Sequence, residues 1–514
     1  MTTVVLERYN RGMDYKKSMY RYMKDFAPKY SECALARGKF RMSFNGLDKE
    51  IKRVAGGLYK LGVRQGDVVM SALPNIEQAV SLLYASALLG AVFAPVHPLI
   101  SEKEFEKEVK AQKPKVLAIS AVNAVRFSRH KGGAKVIYCP YCFHGFIGLP
   151  YSKEYVEYEG NGEILALYMH SGGTSGVPKT VVLSHQNANA LVENMLSSIP
   201  YDFNAKDSML VTLPMFHGFG LIVGVHAALS ADVKAVLLAK FSGKSALKEI
   251  IRHKITTAIA IPRMLTKLLA TDGFEGDNVS SLVHVFVGGD TLDKKLATEF
   301  NAVMERAGAS AVAQQGYGLT EIGSVCVLSS KDAEVGTIGR PLTNVEALIV
   351  DENGTPLADG EKGELVLCSN QTMIGYLDSD ENAFLEINGK KYLRTGDLFA
   401  KNGEDLTFYG RKKRLIKISG MNVFPSEIER VAKELPYVVN CGAFERVVGG
   451  KPQIELVVEG VITDRQKEEI RKYIGKNLSH WHIPGIVKSI EKMPYTAIGK
   501  VDYVSLLSLD SEEN

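Results

Sequence analysis

The sequence predicts an α/β fold with two domains, a large N-terminal one over residues 1–410 and a small α+β one over residues 411–514. Helix-like and strand-like patterns alternate up to about residue 330, as they do in parallel sheets covered by helices. Shorter strand-like runs follow up to residue 410, and a compact mixture of both patterns closes the chain. With 514 residues, the chain is long enough for each domain to bury its own core.

The elements of the N-terminal domain are recognised by their periodicity. Apolar side chains recur every three or four positions over residues 47–61 and 292–307, which predicts two amphipathic helices. Short apolar runs bounded by turn residues predict buried strands at 68–73, 164–169, 208–213, 233–238, 257–261 and 283–287. Further runs, separated by Gly, Asn and Asp, predict a small β-rich, barrel-like unit with strands at 345–350, 364–368, 397–399 and 406–409.

The composition is that of an ordinary globular protein: 46% of the residues are hydrophobic and 23% are charged, which excludes disordered and collagen-like chains. A net charge of +4 gives no electrostatic argument for nucleic acid. Six cysteines are too few for a disulfide framework, and no signal peptide is recognised, so we expect a cytoplasmic protein. Two uncharged runs, 78–101 and 208–231, contain Pro, Gly and His, and we expect buried segments there without a transmembrane helix.

The strongest chemical signal is the loop HSGGTSGVPK at residues 170–179, which follows a predicted strand. Glycines let backbone N–H groups approach phosphate oxygens, hydroxyl side chains add donors, and the lysine adds a positive charge. The loop is not of the GxxxxGK[ST] type, because Val177 and Pro178 separate the last glycine from the lysine. A flexible surface loop is the alternative. The predicted phosphate-binding residues are Ser171, Gly172, Gly173, Thr174, Ser175, Gly176 and Lys179.

Further motifs follow this loop in order. They are YGLTE at 317–321, TGD at 395–397, the segment 410–429 that contains GRKK and SG, and PYTAIGK at 494–500. Together these motifs make the chain resemble the adenylate-forming superfamily, which includes acyl-CoA synthetases, firefly luciferase and the adenylation domains of peptide synthetases. The resemblance extends over residues 165–503. It implies that the C-terminal domain is mobile and turns about a hinge at Lys413.

The resemblance implies an ATP site formed by these motifs. Tyr317 would stack on adenine beside Gly318. Asp397 would accept hydrogen bonds from both ribose hydroxyls, with Arg411 beside it. Taken singly, an ordinary core tyrosine and a turn-forming aspartate are the alternatives. Weaker similarity adds three residues to the walls around the adenine and the acyl group: Gly288, Gly289 and Asp290.

The residues that the resemblance implies at the reacting centre are Lys500, Thr320, Glu321 and His217. Lys500 would stabilise negative charge as a carboxylate attacks the α-phosphate of ATP. Thr320 would donate its hydroxyl to that phosphate, and Glu321 would hold Mg²⁺ together with phosphate oxygens. A helix cap for the Thr-Glu pair and an exposed lysine near the end of the chain are the structural alternatives.

His217 lies in the segment PMFHG at 214–218, which resembles the family element that borders the acyl pocket. No acidic residue lies between Asp207 and Asp232, so a buried ammonium group would have no partner charge there. This pattern favours a carboxylic acid without an α-ammonium group. The three glycines between 218 and 224 either open a tunnel for an apolar tail or permit close packing of a helix.

The predicted function is that of an AMP-forming acid–thiol ligase, an acyl-CoA synthetase that uses ATP, Mg²⁺ and coenzyme A on a fatty or other lipophilic acid. Ser419, Gly420 and Met421 would face the CoA channel after the C-terminal domain rotates. A ligase that loads an acyl carrier protein is one alternative, and a nucleotide-binding protein without turnover is another. We expect a monomer or homodimer without a nucleic-acid partner, since only the basic stretch 411–414 argues for RNA.

Several positions depart from the family pattern. Arg414 stands where an acidic residue is common, and Tyr503 stands where Arg is often found. The first departure lies next to the predicted hinge, Lys413. Cys139 and Cys142 form a Cys-x-x-Cys pair, for which we favour reduced thiols without a role over a redox or zinc site.

Overall fold

The structure, a computed structural model, describes residues 15–26, 32–140, 145–171, 179–334, 337–377, 379, 381–418, 421–448, 451–495 and 501–509. The predictions for nine residues therefore lie outside the described part: Cys142, Gly172, Gly173, Thr174, Ser175, Gly176, Ser419, Gly420 and Lys500.

The first two thirds of the chain supply most of the strands. Those up to residue 341 are β1 (Leu35–Arg37), β2 (Phe40–Met42), β3 (Val68–Ala72), β4 (Val92–Pro95), β5 (Val116–Ser120), β6 (Lys135–Cys139), β7 (Leu165–His170), β8 (Thr180–Ser184), β9 (Ser208–Val211), β10 (Lys234–Leu237), β11 (Thr257–Ala260), β12 (His284–Val287), β13 (Ala313–Gly318), β14 (Val325–Leu328) and β15 (Arg340–Pro341). The later strands are β16 (Glu346–Val350), β17 (Gly363–Cys368), β18 (Gly375–Tyr376), β19 (Phe384–Ile387), β20 (Lys390–Asn402), β21 (Asp405–Arg411), β22 (Ile416–Ile418), β23 (Met421–Val423), β24 (Cys441–Val448), β25 (Lys451–Glu459) and β26 (Ile486–Ile490).

Helices cover these strands. The α-helices are α1 (Met19–Phe26), α2 (Phe44–Lys60), α3 (Glu77–Leu89), α4 (Glu102–Gln112), α5 (Ala124–Phe127), α6 (His185–Ser198), α7 (Ala228–Ser230), α8 (Gly243–His253), α9 (Pro262–Leu269), α10 (Lys294–Arg306), α11 (Pro425–Ala432), α12 (Asp464–Asn477) and α13 (Tyr503–Leu509). A π-helix spans Phe219–Ala227, and single 3-10 turns span Ala121–Asn123, Ser128–His130, Gly276–Asn278, Thr320–Ile322, Lys412–Arg414 and His480–His482.

Two large sheets form the body of the molecule, and each is mainly parallel. The first has the order β18-β8-β7-β4-β3-β5-β6, with β7 and β8 antiparallel. The second has the order β15-β14-β13-β12-β11-β9-β10-β1-β2 and is parallel from β13 to β1. Strands β3 and β5 are buried along their whole length, as expected of parallel strands between helices. The α/β fold class predicted from the sequence is confirmed.

The remaining strands form smaller sheets. An antiparallel sheet joins β16, β17, β20 and β19, and β21 pairs with β20; this sheet corresponds to the predicted β-rich unit. After residue 415, β22 pairs with β23, and β24, β25 and β26 form a third sheet around a separate hydrophobic core. Strand β21 continues through Arg411, one residue past the predicted boundary. The division of the chain at residue 410 stays a prediction.

Local sequence signals explain where several helices begin. The side chains of Ser101 and Ser184 cap α4 and α6, each in a reciprocal hydrogen-bonded box with the residue three positions later. The first uncharged run forms α3 and β4, separated by Gly90, which ends α3 in a left-handed conformation. The second run contains β9 and the π-helix. In the described part of the chain, no helix combines the length and the hydrophobicity needed to cross a bilayer.

Candidate active site

Strands β7 and β8 hold the base of the glycine-rich loop. The Ser171 backbone N–H donates to the Lys179 carbonyl at 2.9 Å, and the Lys179 N–H donates to the Ser171 hydroxyl at 3.2 Å. The Lys179 ammonium pairs with Glu381 and lies 4.7 Å from the centre of the Tyr376 ring. The hydrogen bond from Lys179 lowers the pKa of the Glu381 carboxyl. The two described ends of the predicted phosphate loop are thus joined, with the lysine at its exit.

Thr320 and Glu321 lie beside this loop. Both belong to a 3-10 turn at the end of β13, and the buried Thr320 hydroxyl donates to the carbonyl of His170, the last residue of β7, at 3.4 Å. The Tyr376 hydroxyl donates to Glu321 Oε1 at 3.0 Å. Burial, and next the charge of Glu321, raises the pKa of the Tyr376 phenol, which therefore stays a donor. Because Tyr376 also faces Lys179, it links the phosphate loop to the Thr-Glu pair.

Tyr376 was not predicted from the sequence. It is 55 residues from Glu321, and only the pairing of β18 with β8 brings it into the site. A tyrosine after a glycine, outside any longer motif, carries no chemical signal by itself.

Glu321 suits a bound Mg²⁺ in one respect that the structure shows. Its carboxylate is oriented by a hydrogen bond to one oxygen, and a hard cation prefers carboxylate and phosphate oxygens. Among the described residues, no three His, Cys, Asp or Glu side chains form a group that could hold a metal. A cation here would therefore depend on substrate phosphates for most of its ligands.

The residues predicted for the ribose lie together. The Tyr317 hydroxyl donates to Asp397 Oδ2 at 2.7 Å, and Arg411 Nε lies 2.8 Å from Asp397 Oδ1. Asp397 and Arg411 face each other across β20 and β21. The Tyr317 ring meets Phe399 edge-on with centroids 4.9 Å apart. Burial, and next the charge of Asp397, raises the pKa of the Tyr317 phenol, so it donates to the carboxylate.

A buried glutamate that the sequence did not single out supports this pair. Glu364 accepts hydrogen bonds from Arg394 at 2.8 Å, from Lys412 at 3.1 Å and from the backbone N–H of Gly396 at 3.2 Å. Gly396 has φ +68°, a conformation that favours glycine, and it lies within β20 just before Asp397, where the pairing with β17 is irregular. Burial alone would raise the pKa of Glu364, but the hydrogen bonds from Arg394 and Lys412 outweigh it and lower that pKa. Glu364 therefore fixes the irregular part of β20 that presents Asp397.

The segment that contains His217 packs tightly against the turn that follows Glu321. A Cβ atom at Gly218 would overlap the carbonyl oxygen of Gly323, and a Cβ atom at Gly220 would overlap the carbonyl oxygens of residues 213 and 214. A Cβ atom at Gly224 would lie 2.8 Å from Ile259 Cδ1. The glycines of this segment therefore permit close packing, which is one of the two alternatives left open by the sequence. The segment places His217 beside the Thr-Glu turn.

The predicted Gly288-Gly289-Asp290 wall follows the end of β12. Gly289 has φ +82°, and Asp290 is exposed, with its carboxylate accepting the backbone N–H of Thr291 at 2.8 Å. A Cβ atom at Gly288 would lie 3.0 Å from the ring of Phe219 on the π-helix. This part of the site is thus closed by an aromatic side chain.

The predicted hinge lies between two residues that are fixed by ion pairs. Lys412 pairs with Glu364 at 3.1 Å and Arg414 with Glu429 at 2.6 Å, whereas Lys413 is exposed. Arg414 also lies 3.6 Å from the centre of the Tyr503 ring. The two departures from the family pattern, Arg414 and Tyr503, therefore contact each other. Met421, predicted for the CoA channel, is 49% exposed at the start of β23.

The segment that contains Lys500 is described only at its two ends. The Asp502 backbone N–H donates to the Pro494 carbonyl at 2.9 Å, so the ends of the segment lie side by side. The Arg263 guanidinium lies 4.2 Å from the centre of the Tyr495 ring. Arg263 belongs to α9, whose preceding residue Ile261 would contact a Cβ atom at Gly289. These contacts place Tyr495, the described residue at the N-terminal end of this segment, next to α9, and the role of Lys500 stays a prediction.

Cys139 is a free, fully buried thiol in β6. Burial raises its pKa, which suppresses the reactive thiolate. This agrees with a thiol that has no chemical role.

A family model for AMP-binding enzymes matches residues 21–377 of the chain. The chain belongs to this family. The predicted membership of the adenylate-forming superfamily, as an AMP-forming acid–thiol ligase, is thereby confirmed.

Two similar relatives are plant enzymes. The chain is 27% identical over 474 residues to 4-coumarate-CoA ligase 1 of Narcissus pseudonarcissus, covering 88% of this chain and 85% of that protein. It is 28% identical over 493 residues to 4-coumarate–CoA ligase CCL1 of Humulus lupulus, covering 90% and 87%.

Solved structures share the fold. ATP-bound MatB from Rhodopseudomonas palustris superposes with a TM-score of 0.87 at 21% identity, covering 96% of this chain and 99% of that one. The anthranilate CoA ligase AuaEII in complex with anthranoyl-AMP superposes with a TM-score of 0.85 at 20% identity, covering 96% and 97%.

Proposed function

We propose that the protein converts an aryl or other lipophilic carboxylic acid into its acyl-adenylate and then into its coenzyme A thioester. The observation that carries the proposal is the union in one site of a ribose-side pair, Tyr317 and Asp397, with a phosphate-side pair, Thr320 and Glu321. The plant relatives are named for an aryl acid, which favours aryl acids over the fatty acids that the sequence first suggested.

In the first half-reaction, Tyr317 and Asp397 hold the nucleoside of ATP while Thr320 donates to the α-phosphate. The substrate carboxylate attacks the α-phosphorus, a new P–O bond forms, and the bond to pyrophosphate breaks. Lys500 stabilises the negative charge that develops on the α-phosphate oxygens. Glu321 would hold a Mg²⁺ ion, which neutralises phosphate charge when it is bound.

In the second half-reaction, the sulfur of CoA attacks the acyl carbon, and AMP leaves with the electrons of the C–O bond. Rotation of the C-terminal part about Lys413 removes Lys500 and admits the thiol between the two steps. The exposure of Lys413 between two paired neighbours supports a pivot at this residue. The cytoplasmic location and the oligomeric state stay predictions.

The test is acid-dependent release of pyrophosphate from ATP by the purified protein over a panel of carboxylic acids, with hydroxylamine to trap the acyl-adenylate. We expect release with at least one aryl or lipophilic acid. Lys500→Ala should lower release by about 10²–10³-fold and still form thioester from a supplied acyl-adenylate. Thioester formation with free CoA, compared with a phosphopantetheinylated carrier protein, separates the two acceptors. If no acid of the panel supports release, the proposal is wrong.

A further inference from the structure

An apolar cavity adjoins the residues assigned to the nucleotide. Two of the residues that line it, Val287 and Gly316, come immediately before Gly288 and Tyr317. The complete lining consists of Met195, Phe219, Val223, Phe286, Val287, Gly316, Val325 and Leu328. The cavity is therefore the space beside the reacting centre into which the organic part of an acid can extend.

The surface of this cavity contains no nitrogen or oxygen atom. Phe219 and Val223 lie one turn apart on the π-helix, Met195 comes from α6, and the other residues come from β12, β13 and β14. Aromatic rings, aliphatic chains and a thioether provide no strong hydrogen-bond partner. The ribose side differs, since Asp397 there contacts both a hydroxyl and a guanidinium.

A hydroxyl group in such a cavity loses its hydrogen bonds to water and gains none. Burial of an unsatisfied polar group costs about 1–3 kcal/mol. This corresponds to a preference of about 10–10²-fold for an acid without the hydroxyl, the usual limit for an apolar pocket.

We propose that this cavity binds the end of the acid remote from its carboxyl and selects acids whose remote end carries neither a hydroxyl nor a charge. The inference rests on the function proposed above. The plant relatives are named for 4-coumarate, a phenolic acid, whereas this cavity offers a phenol no partner. The substrate class is thus an unsubstituted aryl or alkyl carboxylic acid.

The small volume of the cavity also restricts the shape of the acid. In this conformation it has room for about one water-sized sphere. Phe219 lies against Gly288, and Met195 lines the cavity from α6. A substrate enters when one of these side chains turns aside, which costs little for the flexible methionine. An acid with a flat ring or an unbranched chain requires a smaller movement of these side chains than a branched acid does.

The first test compares pairs of acids that differ by one remote hydroxyl: cinnamate with 4-coumarate, 3-phenylpropanoate with its 4-hydroxyphenyl analogue, and octanoate with 8-hydroxyoctanoate. The readout is kcat/KM for pyrophosphate release. In every pair that supports turnover, we expect the unsubstituted acid to be used at least about tenfold better. Equal use, or preference for the hydroxylated acid, overturns the inference and leaves the proposed function intact. Turnover with neither member of any pair, while another acid of the panel is used, overturns the inference alone. Turnover with no acid of the panel overturns the proposed function and the inference with it.

The second test places a hydroxyl in the cavity by the near-isosteric change Val223→Thr. We expect the preference within each pair to shrink by about tenfold, mainly through a lower KM for the hydroxylated acid. Val225→Thr is the matched control, because Val225 lies on the same π-helix, is fully buried and does not line the cavity. An unchanged preference in a folded Val223→Thr protein, or an equal change in both variants, contradicts the assignment.

Discussion

The two neighbours of the exposed Lys413 pair with two buried glutamates, one on each side of the predicted domain boundary. A comparison of these glutamates shows which groups each one holds in place. Glu364 is 4% exposed and binds Lys412, and Glu429 is 8% exposed and binds Arg414. Each glutamate fixes one neighbour of Lys413 to its own part of the chain. This arrangement supports the proposed rotation between the two parts at Lys413.

The two glutamates differ in what else they bind. Glu364 also accepts a hydrogen bond from the backbone N–H of Gly396, just before Asp397 in β20, and so belongs to the proposed ribose side of the site. Glu429 also accepts from the Tyr503 hydroxyl at 3.0 Å, and Tyr503 follows Lys500 by three residues. The first network thus positions a binding group, whereas the second connects the hinge to the segment that carries the predicted catalytic cation.

The largest effect is expected from Lys413→Pro, which leaves both glutamate networks in place but restricts the backbone between them. Thioester formation should fall by about 10²-fold, since misplaced reacting groups cost that much. Pyrophosphate release in the first half-reaction should change much less. Single-turnover measurement of both half-reactions checks this. Lys413→Ala removes the side chain and leaves the backbone free, so an equal loss in that variant would contradict a pivot at this position.

Breaking the Glu364 network should weaken nucleotide binding. In Glu364→Gln, the cations of Arg394 and Lys412 lose their carboxylate, and we expect the free energy of unfolding to fall by about 1–3 kcal/mol. The KM for ATP should rise, because the irregular part of β20 at Gly396 is less fixed, while the thioester step keeps its rate. Urea unfolding and half-reaction kinetics measure these effects. The control is Glu404→Gln, which removes an exposed ion pair with Arg340 worth about 0–1 kcal/mol.

Disruption of the Glu429 network is expected to change the rate of adenylation, whereas disruption of the Glu364 network changes the KM for ATP. Arg414→Glu places a second carboxylate beside Glu429 and removes the cation over the Tyr503 ring. Adenylation should slow by about tenfold, as expected from the loss of a buried charge-assisted contact, with little change in the KM for ATP. The double variant with Tyr503→Arg restores a cation beside the two carboxylates and should recover most of the rate. Additive losses in the double variant would show that the two residues act independently.

The residues on the ribose and phosphate sides were largely predictable, because each belongs to a short contiguous motif. Tyr317 and Asp397 are 80 residues apart, yet each was identified in its own segment, and the structure brings them to 2.7 Å. Glu364 and Tyr376 were missed for the opposite reason. Each is one polar residue in a β-strand, and its side-chain hydrogen-bond partners lie 30 to 55 residues away, so its importance arises only from the pairing of strands.

The strands were predicted to within a few residues where the whole strand is buried, as at β3 and β12. The prediction was incomplete for β20, which spans Lys390–Asn402 although only 397–399 was recognised. Gly396, in a left-handed conformation, interrupts its apolar pattern. The π-helix and the apolar cavity beside it could not be predicted, because both depend on how distant segments pack.

A third carboxylate, Glu193 on α6, gives the smallest expected effect. Among the described residues, no cation pairs with it to balance its burial. Its Oε2 atom is buried and has no hydrogen-bond partner in the described part of the chain. Burial raises the pKa of Glu193 from the ordinary 4.5 to about 7. Between these values, the folded protein binds more protons than the unfolded chain, so stability falls as the pH rises through 7. Glu364, with its lowered pKa, behaves in the opposite way and loses its contribution in acid.

The free energy of unfolding of Glu193→Gln should therefore equal that of the parent protein at pH 4.5 and exceed it at pH 8. The difference should be about 1 kcal/mol, because the side chain is only partly buried and solvent screens its charge. Urea unfolding at pH 5, 6.5 and 8 measures how the free energy of unfolding changes with pH. Glu364→Gln serves as the comparison, because its loss of unfolding free energy relative to the parent protein should be greatest near neutral pH and smaller in acid. If Glu193→Gln keeps the parental slope between pH 5 and 8, the buried carboxyl has already ionised below this range, and a partner compensates its burial.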